Sequence, residues 1–440
     1  MVTFLPTRPG RLADVPSFTR AIGGAESNVA CALAAAGHRV RWVGRVGRDG
    51  FGDHLVDAIA AHGVDVGAVG RDPHRPTGVY FRTDADRATD AHEVVYYRAG
   101  SAASAMSPAT VPYDSVAGAR ILHLTGITAA LSADCLALMR ELTAPRAGRP
   151  LVSFDVNHRA GLWRDGGASA VLLDLARRAD IVFVGADEAE RLWGVAEPDA
   201  IRAVLAEPAV LVVKRGGEGA VAFERRAASF PTPPLPEPGA SPQAPVRPAA
   251  VPPDAGRADV QPRRRLRRGA RGGGPVREGA GWGKAPRSGP APALGGPAPD
   301  GPAPAAPEAP DGSASPAPVP DGSASPAHRG RDTVTPAPAL RGRDTVTPVP
   351  APRVTVVSPV GAGDAFAAGF LSGTLRGLDM RTRLRHGHLA AAAVLTTAGD
   401  LARPPRRARA DRLAALDDTA WGTLHLGPGW TGDDQEVRTP

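Results

Sequence analysis

The sequence predicts an α/β fold: a mostly parallel central sheet with helices on both faces, a small separate β element, and a long disordered insert. Three observations carry this expectation. Strand-like apolar runs alternate with helical patterns across 121–213, and a glycine-rich strand-to-helix turn opens at Ser358. Between Pro231 and Pro352 the composition shifts to proline, alanine, glycine and arginine.

By length alone, 440 residues could hold two or three domains, yet roughly thirty of the 46 prolines fall in 231–352, where large apolar residues are almost absent. Such a segment cannot bury enough surface to offset its conformational entropy, which leaves about 320 residues for one large α/β domain. The expected division is 1–230 and 353–422 for the two parts of that domain, 231–352 for the insert, and 423–440 for a flexible tail. The formal charge of +7 invites a nucleic-acid reading, but the insert alone holds 15 Lys/Arg against 10 Asp/Glu, so the basic balance lies mainly there. Its run Arg263–Arg268 reads as a solvated basic stretch, and no specific nucleic-acid partner is expected. Cys31 and Cys135 lie in apolar helical patterns and read as buried free thiols. With neither a signal peptide nor a spanning apolar run in the sequence, the expectation is a cytoplasmic protein with no membrane partner.

In chain order, 1–5 reads as a strand and 6–11 as a loop. Ser17–Ile22 leads into Gly23, Gly24 and a helix with Asn28 in its first turn, closed by Gly37. Paired glycines admit a ligand close to the backbone, or serve tight strand-to-helix packing. Arg39–Val46 alternates as a strand, and the turn Gly47–Gly52 opens a helix over Asp53–His62. Thr77–Arg82, carrying Tyr80, and Glu93–Arg98 are short β-rich runs expected to pair antiparallel outside the main sheet. A period of two puts Tyr96 and Arg98 on one face and Tyr97 on the other. A Tyr/Arg face can bond a hydroxyl and pair with a carboxylate; a solvent-facing strand pair fits the segment equally well.

Ile121–Leu124, Leu151–Val156, Ile181–Val184 and Val210–Val213 follow as strands, with helices such as Asp134–Leu142 and Ala168–Arg178 between them. Ligands of such sheets gather at the carboxyl ends of strands, where the chain places Asn157–Arg159, Glu188 and Lys214–Gly217. Within the insert, 311–316 repeats at 321–326 and 329–336 repeats at 341–348, as expected of a tandemly duplicated solvated loop. Beyond it come a helix over His386–Thr397 ended by Gly399, an amphipathic helix over Ala410–Trp421, and a frayed tail from Gly427.

The richest chemistry lies in Ser358–Gly373, after the apolar run Val354–Val357. Gly361, Ala362 and Gly363 leave backbone N–H groups uncovered at a helix N-terminus, where an anion can sit. Asp364 stands beside that anion, placed to take a proton from a hydroxyl attacking a phosphate. A glycine-rich turn with an ordinary acidic residue is the plain alternative. A dinucleotide fingerprint would need glycine where Phe366 stands, and the Gly-Lys-Ser/Thr of a Walker loop is absent.

This stretch resembles the second signature of the ribokinase (PfkB) sugar-kinase family, and the Gly47–Gly52 turn resembles the first, about 310 residues earlier. Phe154–Arg159 with Leu162-Trp163, and Tyr96–Ala103, are similar to the 2-keto-3-deoxygluconate kinase branch. The resemblance implies a ribokinase-like three-layer sandwich with a β lid. It further implies transfer of the γ-phosphate of Mg-ATP to a primary hydroxyl, with 2-keto-3-deoxygluconate the preferred substrate. The alternatives are another sugar kinase acting on fructose or ribose, or a catalytically degraded sugar-binding or interaction protein.

By the same resemblance, Asp364 is the base and Gly361, Ala362 and Gly363 stabilise the transferred phosphoryl group. Gly23, Gly24, Asn28, Tyr80, Tyr96, Arg98, Asn157 and Arg159 bind substrate, with the two arginines on its carboxylate. Lys214, Gly216, Gly219 and His388 border the nucleotide, Glu188 organises magnesium through water, and the lid pairs copies into a homo-oligomer. Several positions depart from the pattern. Gly185 replaces the usual Asn three before Glu188. Ser358 replaces an Asp that helps hold an activating monovalent cation, which counts against such activation here. The insert falls close to the nucleotide site. The family pattern also begins with a central strand that Met1 follows, so the start codon is expected to be placed too late.

Overall fold

The computed structural model describes residues 1–8, 10–83, 94–163, 166–225 and 344–432. The expected insert up to residue 343, with its Arg263–Arg268 run and most of its repeats, lies outside the described residues, as do Glu93 and 433–440.

The first six strands are β1 (Val2–Pro6), β2 (Phe18–Ile22), β3 (Gly44–Gly47), β4 (Val69–Asp72), β5 (Val79–Arg82) and β6 (Val94–Tyr97). Four of them form a lid sheet in the order β2-β1-β5-β6, with β1 parallel to β5 and the other pairs antiparallel. The expected β5/β6 pair is thus half of a four-stranded element, and β3 pairs separately with β4.

The main sheet comprises β7 (Ile121–Thr125), β8 (Leu151–Asp155), β9 (Ile181–Gly185), β10 (Val210–Lys214), β11 (Ala220–Arg225) and β12 (Asp344–Val349). These run in the spatial order β12-β11-β10-β9-β8-β7. β7 through β10 are parallel, while β11 is antiparallel to both of its neighbours. Strands covered on both faces need apolar residues at every position rather than at alternate ones. β9 and β10 meet that demand. Val182, Val184, Leu211 and Val213 pack into one core beneath the helices Ala133–Thr143, Ala168–Arg177 and Ala186–Trp193. Ile181, Phe183, Val210 and Val212 pack into the other, beneath Ala362–Leu375 and Met380–Leu395. The result is the expected three-layer sandwich.

Several boundaries differ from the sequence expectation. β12 lies inside 231–352, assigned to the insert; its Thr-Val-Thr core suits a strand, and its Pro348 is tolerated because β12 is an edge strand. Arg202 anchors it by gripping both carboxylate oxygens of Asp344, at 2.7 and 3.1 Å. Val354–Val357 is no full strand: β13 (Arg353–Val354) pairs with β14 (His425–Leu426), a strand within the expected tail, while Val356 and Val357 are exposed. The strand at Arg39–Val46 shrinks to β3. The helix expected at His386 starts earlier, because Asp379 caps the Thr382 N–H at 3.0 Å. The last expected helix divides into Arg407–Ala414 and Asp418–Thr423, since Asp417 caps a new start through the Ala420 N–H. Cys31 and Cys135 are buried free thiols. Among the described residues no helix is long and apolar enough to cross a membrane.

Candidate active site

Parallel strands deliver their carboxyl ends to one edge, and β8, β9 and β10 end there in Asp155, Gly185 and Lys214. Lys214 donates to both oxygens of Asp155 at 3.0 Å. Burial alone would lower the lysine pKa, but the charges of Asp155 and Glu188 outweigh it and raise the ammonium above its ordinary value. Glu188, in the first turn of Ala186–Trp193, accepts the N–H groups of Gly185 (2.8 Å) and His158 (2.9 Å). Its pKa is raised, chiefly by burial, against the pull of Lys214.

The glycine turn meets this edge from the other side. Gly361, at φ 85°, is the left-handed residue before the helix Ala362–Leu375, and a side chain there would strike the Asp400 carbonyl, so only glycine fits. Asp364 lies in the first turn of that helix and accepts a 2.9 Å bond from Asn28 Nδ2. Burial, reinforced by the nearby Asp155, pushes its pKa up to about 7 even though the Asn28 bond and Lys214 act the other way. A Cβ on Gly363 would lie 3.7 Å from Lys214 Nζ, which puts the ammonium beside the turn. One cation therefore stands among Asp155, Glu188 and Asp364.

The substrate candidates fall on two walls. Asn28, Gly23 and Gly24 line the helix start below the lid, and a Cβ at Gly23 would collide with the Tyr80 hydroxyl. Tyr80 stands opposite Tyr96 on the lid face, ring centroids 5.4 Å apart, and the buried Arg98 guanidinium lies 4.1 Å over the Tyr96 ring. Tyr97 points away and is exposed, as the period of two requires. Arg98 and the exposed Arg159 feel each other's charge. Asn157 is held at φ 40°, and its Oδ1, like Asn28 Oδ1, is buried without a partner. Orphaned acceptors of this kind await a donor such as a hydroxyl.

The nucleotide candidates fare unevenly. Gly216 borders open space, as does Gly217. Gly219 instead lets the backbone at Val349–Ala351 approach, where a side chain would collide. His388 lies in the interior. Its ring is enclosed by Phe366, Trp421 and the Val349 carbonyl, and burial lowers its pKa to about 4, so it packs as a core side chain. Sequence reasoning overlooked Glu26, which accepts from the hydroxyls of Thr125 and Thr128 at 2.7 Å and adds negative charge near Asp364. It also missed Asp155, whose signal was a carboxylate ending an apolar run, and the Arg82–Asp400 pair described below.

A nucleotide-bound magnesium ion keeps several waters and needs only one or two protein carboxylates. Asp155 and Glu188 already accept bonds from Lys214 and from backbone N–H groups, yet each oxygen keeps a second lone pair. This donor set fits contact through water, and among the described residues no group of three or more His, Cys, Asp or Glu side chains forms a cage.

An α/β sandwich with a glycine turn, a buried carboxylate at that turn and a β lid defines a small-molecule phosphotransferase architecture. The chain belongs to the pfkB family of carbohydrate kinases, whose model matches residues 2–238 and 334–406. It is 36% identical over 230 residues to the 2-dehydro-3-deoxygluconokinase of Bacillus subtilis (strain 168), an alignment spanning 50% of this chain and 69% of that relative. To the fructokinase-2 of Solanum habrochaites it is 31% identical over 196 residues, 44% of this chain and 59% of the relative. The crystal structure of a PfkB protein from Polaromonas sp. JS666 superposes with a TM-score of 0.58 at 25% identity, covering 94% of this chain and 97% of that one. The protein is thus a sugar kinase of this family.

Proposed function

We propose that the chain phosphorylates a primary hydroxyl of 2-keto-3-deoxygluconate, the acid also called 2-dehydro-3-deoxygluconate, at the expense of ATP. The observation that supports this reading most is Asp364. It is a buried carboxylate in the first turn after the Gly361–Gly363 amides, oriented by Asn28 and neighboured by Lys214. A carboxylate whose pKa is about 7 accepts a proton well near neutral pH. The substrate hydroxyl would lose its proton to Asp364 as its oxygen bonds to the γ-phosphorus and the bond from that phosphorus to the β,γ-bridging oxygen breaks to release ADP, while the amides of Gly361, Ala362 and Gly363 hold the charge that grows on the phosphoryl oxygens. Lys214 would balance that charge from the sheet edge. Glu188 and Asp155 would hold magnesium through water, where the ion neutralises the phosphates.

The choice of a sugar acid rests on Arg98 and Arg159, two cations bordering the lid side of the site, and on the name of the Bacillus relative. Tyr80, Tyr96, Asn157, Asn28, Gly23 and Gly24 would shape the rest of the sugar pocket, and Gly216 the nucleotide side. On the lid face opposite Tyr96, Val95 and Tyr97 are 39% and 64% exposed, a surface suited to pairing with a second copy.

ADP release with Mg-ATP and a panel of 2-keto-3-deoxygluconate, fructose, ribose and adenosine tests the proposal. Turnover is expected on the keto acid, and Asp364→Asn should reduce it about a thousandfold. Preference for fructose would move the substrate to the alternative that the Solanum relative suggests. No turnover by the folded chain on any sugar would leave a sugar-binding protein.

A further inference from the structure

Behind the glycine turn, two loops meet. The backbone N–H of Val357 donates to the Leu395 carbonyl at 2.7 Å, and Gly361 packs against the carbonyl of Asp400, so 357–361 and 395–400 hold each other in place. Their junction offers three oxygen donors: the Ser358 hydroxyl, the Ala398 carbonyl and the Asp400 carboxylate. All three face one guanidinium. Arg82, the last residue of β5 and only 2% exposed, reaches across from the lid; its Nη1 lies 3.4 Å from Ser358 Oγ. Its Nη2 lies 3.1 Å from the Ala398 carbonyl and 3.0 Å from Asp400 Oδ1. The other carboxylate oxygen of Asp400 accepts from the Tyr80 hydroxyl, on the same lid strand.

A hydroxyl, a carbonyl and a carboxylate are the donors that a hard cation prefers. They do not fit a free monovalent ion here, because a cation already supplied by the chain takes them. We propose that the Arg82 guanidinium is a built-in monovalent cation for this junction: it positions the phosphate-binding turn without potassium or sodium and ties the shape of that turn to the lid. The proposal rests on the kinase reading only in treating Gly361–Gly363 as the phosphate turn. A buried arginine loses little by fixing its planar fork and cannot dissociate, unlike a bound ion. Arg82 is a positioning residue acting through Ser358, Ala398 and Asp400. Its removal would leave an oxygen-lined anionic hole of the kind a potassium ion can enter.

The test compares the full chain with Arg82→Ala and Arg82→Lys in potassium chloride and in tetramethylammonium chloride at equal ionic strength, with two readouts. Steady-state turnover of the wild type should change less than about twofold between the salts. In tetramethylammonium, Arg82→Ala should lose about a hundredfold in kcat, with the sugar KM nearly unchanged, a loss on the scale of one transition-state contact. Potassium should restore at least about tenfold of it, an ammonium in Arg82→Lys should recover part of it in either salt, and purely structural damage would not respond to the ion. Calorimetric titration with a non-hydrolysable ATP analogue reads the same turn without turnover: the wild-type Kd should be indifferent to the salt and that of Arg82→Ala should tighten in potassium. If no sugar is turned over, this second readout still decides the role of Arg82 while the substrate reading fails alone. Potassium stimulation of the wild type by tenfold or more overturns the proposal, and so does an Arg82→Ala chain indifferent to the ion in both readouts. Should Arg82→Ala not fold, the wild-type salt comparison decides in both readouts: indifference to potassium supports the proposal, and stimulation or tightening by potassium of about tenfold or more overturns it.

Discussion

The carboxyl edge of the main sheet and the inner face of the lid both present charged and polar side chains to the site, but they hold them differently. At the sheet edge the charges sit at strand ends and in the first turns of helices, and each is fixed by a neighbour: Lys214 by Asp155, Glu188 by two backbone N–H groups, Asp364 by Asn28. On the lid, β6 is largely exposed, and Arg98 and Tyr96 are fixed mainly by resting on each other. Charge embedded in a rigid, dry sheet edge shifts pKa values and suits chemistry; long side chains on a thin sheet suit recognition. Breaking the Lys214–Asp155 pair should therefore damage turnover and stability together, and breaking the lid face should damage selectivity alone.

The largest effect is expected from Lys214→Met. Asp155 would be left buried without its counter-charge, costing about 3 kcal/mol in urea denaturation, with turnover falling in parallel. Asp155→Leu in the same chain should return most of the stability and none of the activity. If the single variant were as stable as wild type, the sheet edge would be far wetter than its burial implies.

Arg98→Ala should raise KM for the sugar acid about tenfold to a hundredfold, in line with a lost charge-assisted bond, and leave kcat and the KM for ATP close to wild type. Neutral sugars tried at high concentration should be affected much less. Equal losses for acid and neutral sugars would mean that Arg98 supports the lid and does not read a carboxylate.

The pH dependence separates the regions again. With Asp364, whose pKa is about 7, as the proposed base, kcat/KM should rise roughly tenfold per pH unit below that value and level off above it. Stability should run the opposite way. The folded carboxyl holds a proton that the unfolded one, at 3.8, has released, so its contribution is fully present below about pH 4 and is lost as pH rises through about 7. Urea titrations at pH 5 and pH 8 should show this loss in the wild type and not in Asp364→Asn.

The smallest effect on chemistry is expected at the outward lid face. Tyr97→Glu should leave monomer stability within about 0.5 kcal/mol of wild type while shifting sedimentation velocity toward a single copy. An unchanged sedimentation coefficient would remove the lid as the pairing surface.

The sequence by itself determined much of the layer plan and the chemistry of the turn. Short β-branched apolar runs at 181–184 and 210–213 read as strands covered on both faces, and the uncovered amides of Gly361–Gly363 with a carboxylate in the following helical turn are legible locally. Tertiary structure decided what depends on contacts between remote segments. A threonine-rich repeat flanked by prolines became β12 because Arg202 holds Asp344 across 142 residues of chain, and His388 became core because Phe366 and Trp421 close around it. Arg82 and Asp400 lie 318 residues apart, and neither stands in a recognisable motif; only folding brings the guanidinium to Ser358 and Ala398. Local pattern encodes backbone geometry, whereas pairing of buried charges is a property of the folded interior alone, where low dielectric makes each partner indispensable.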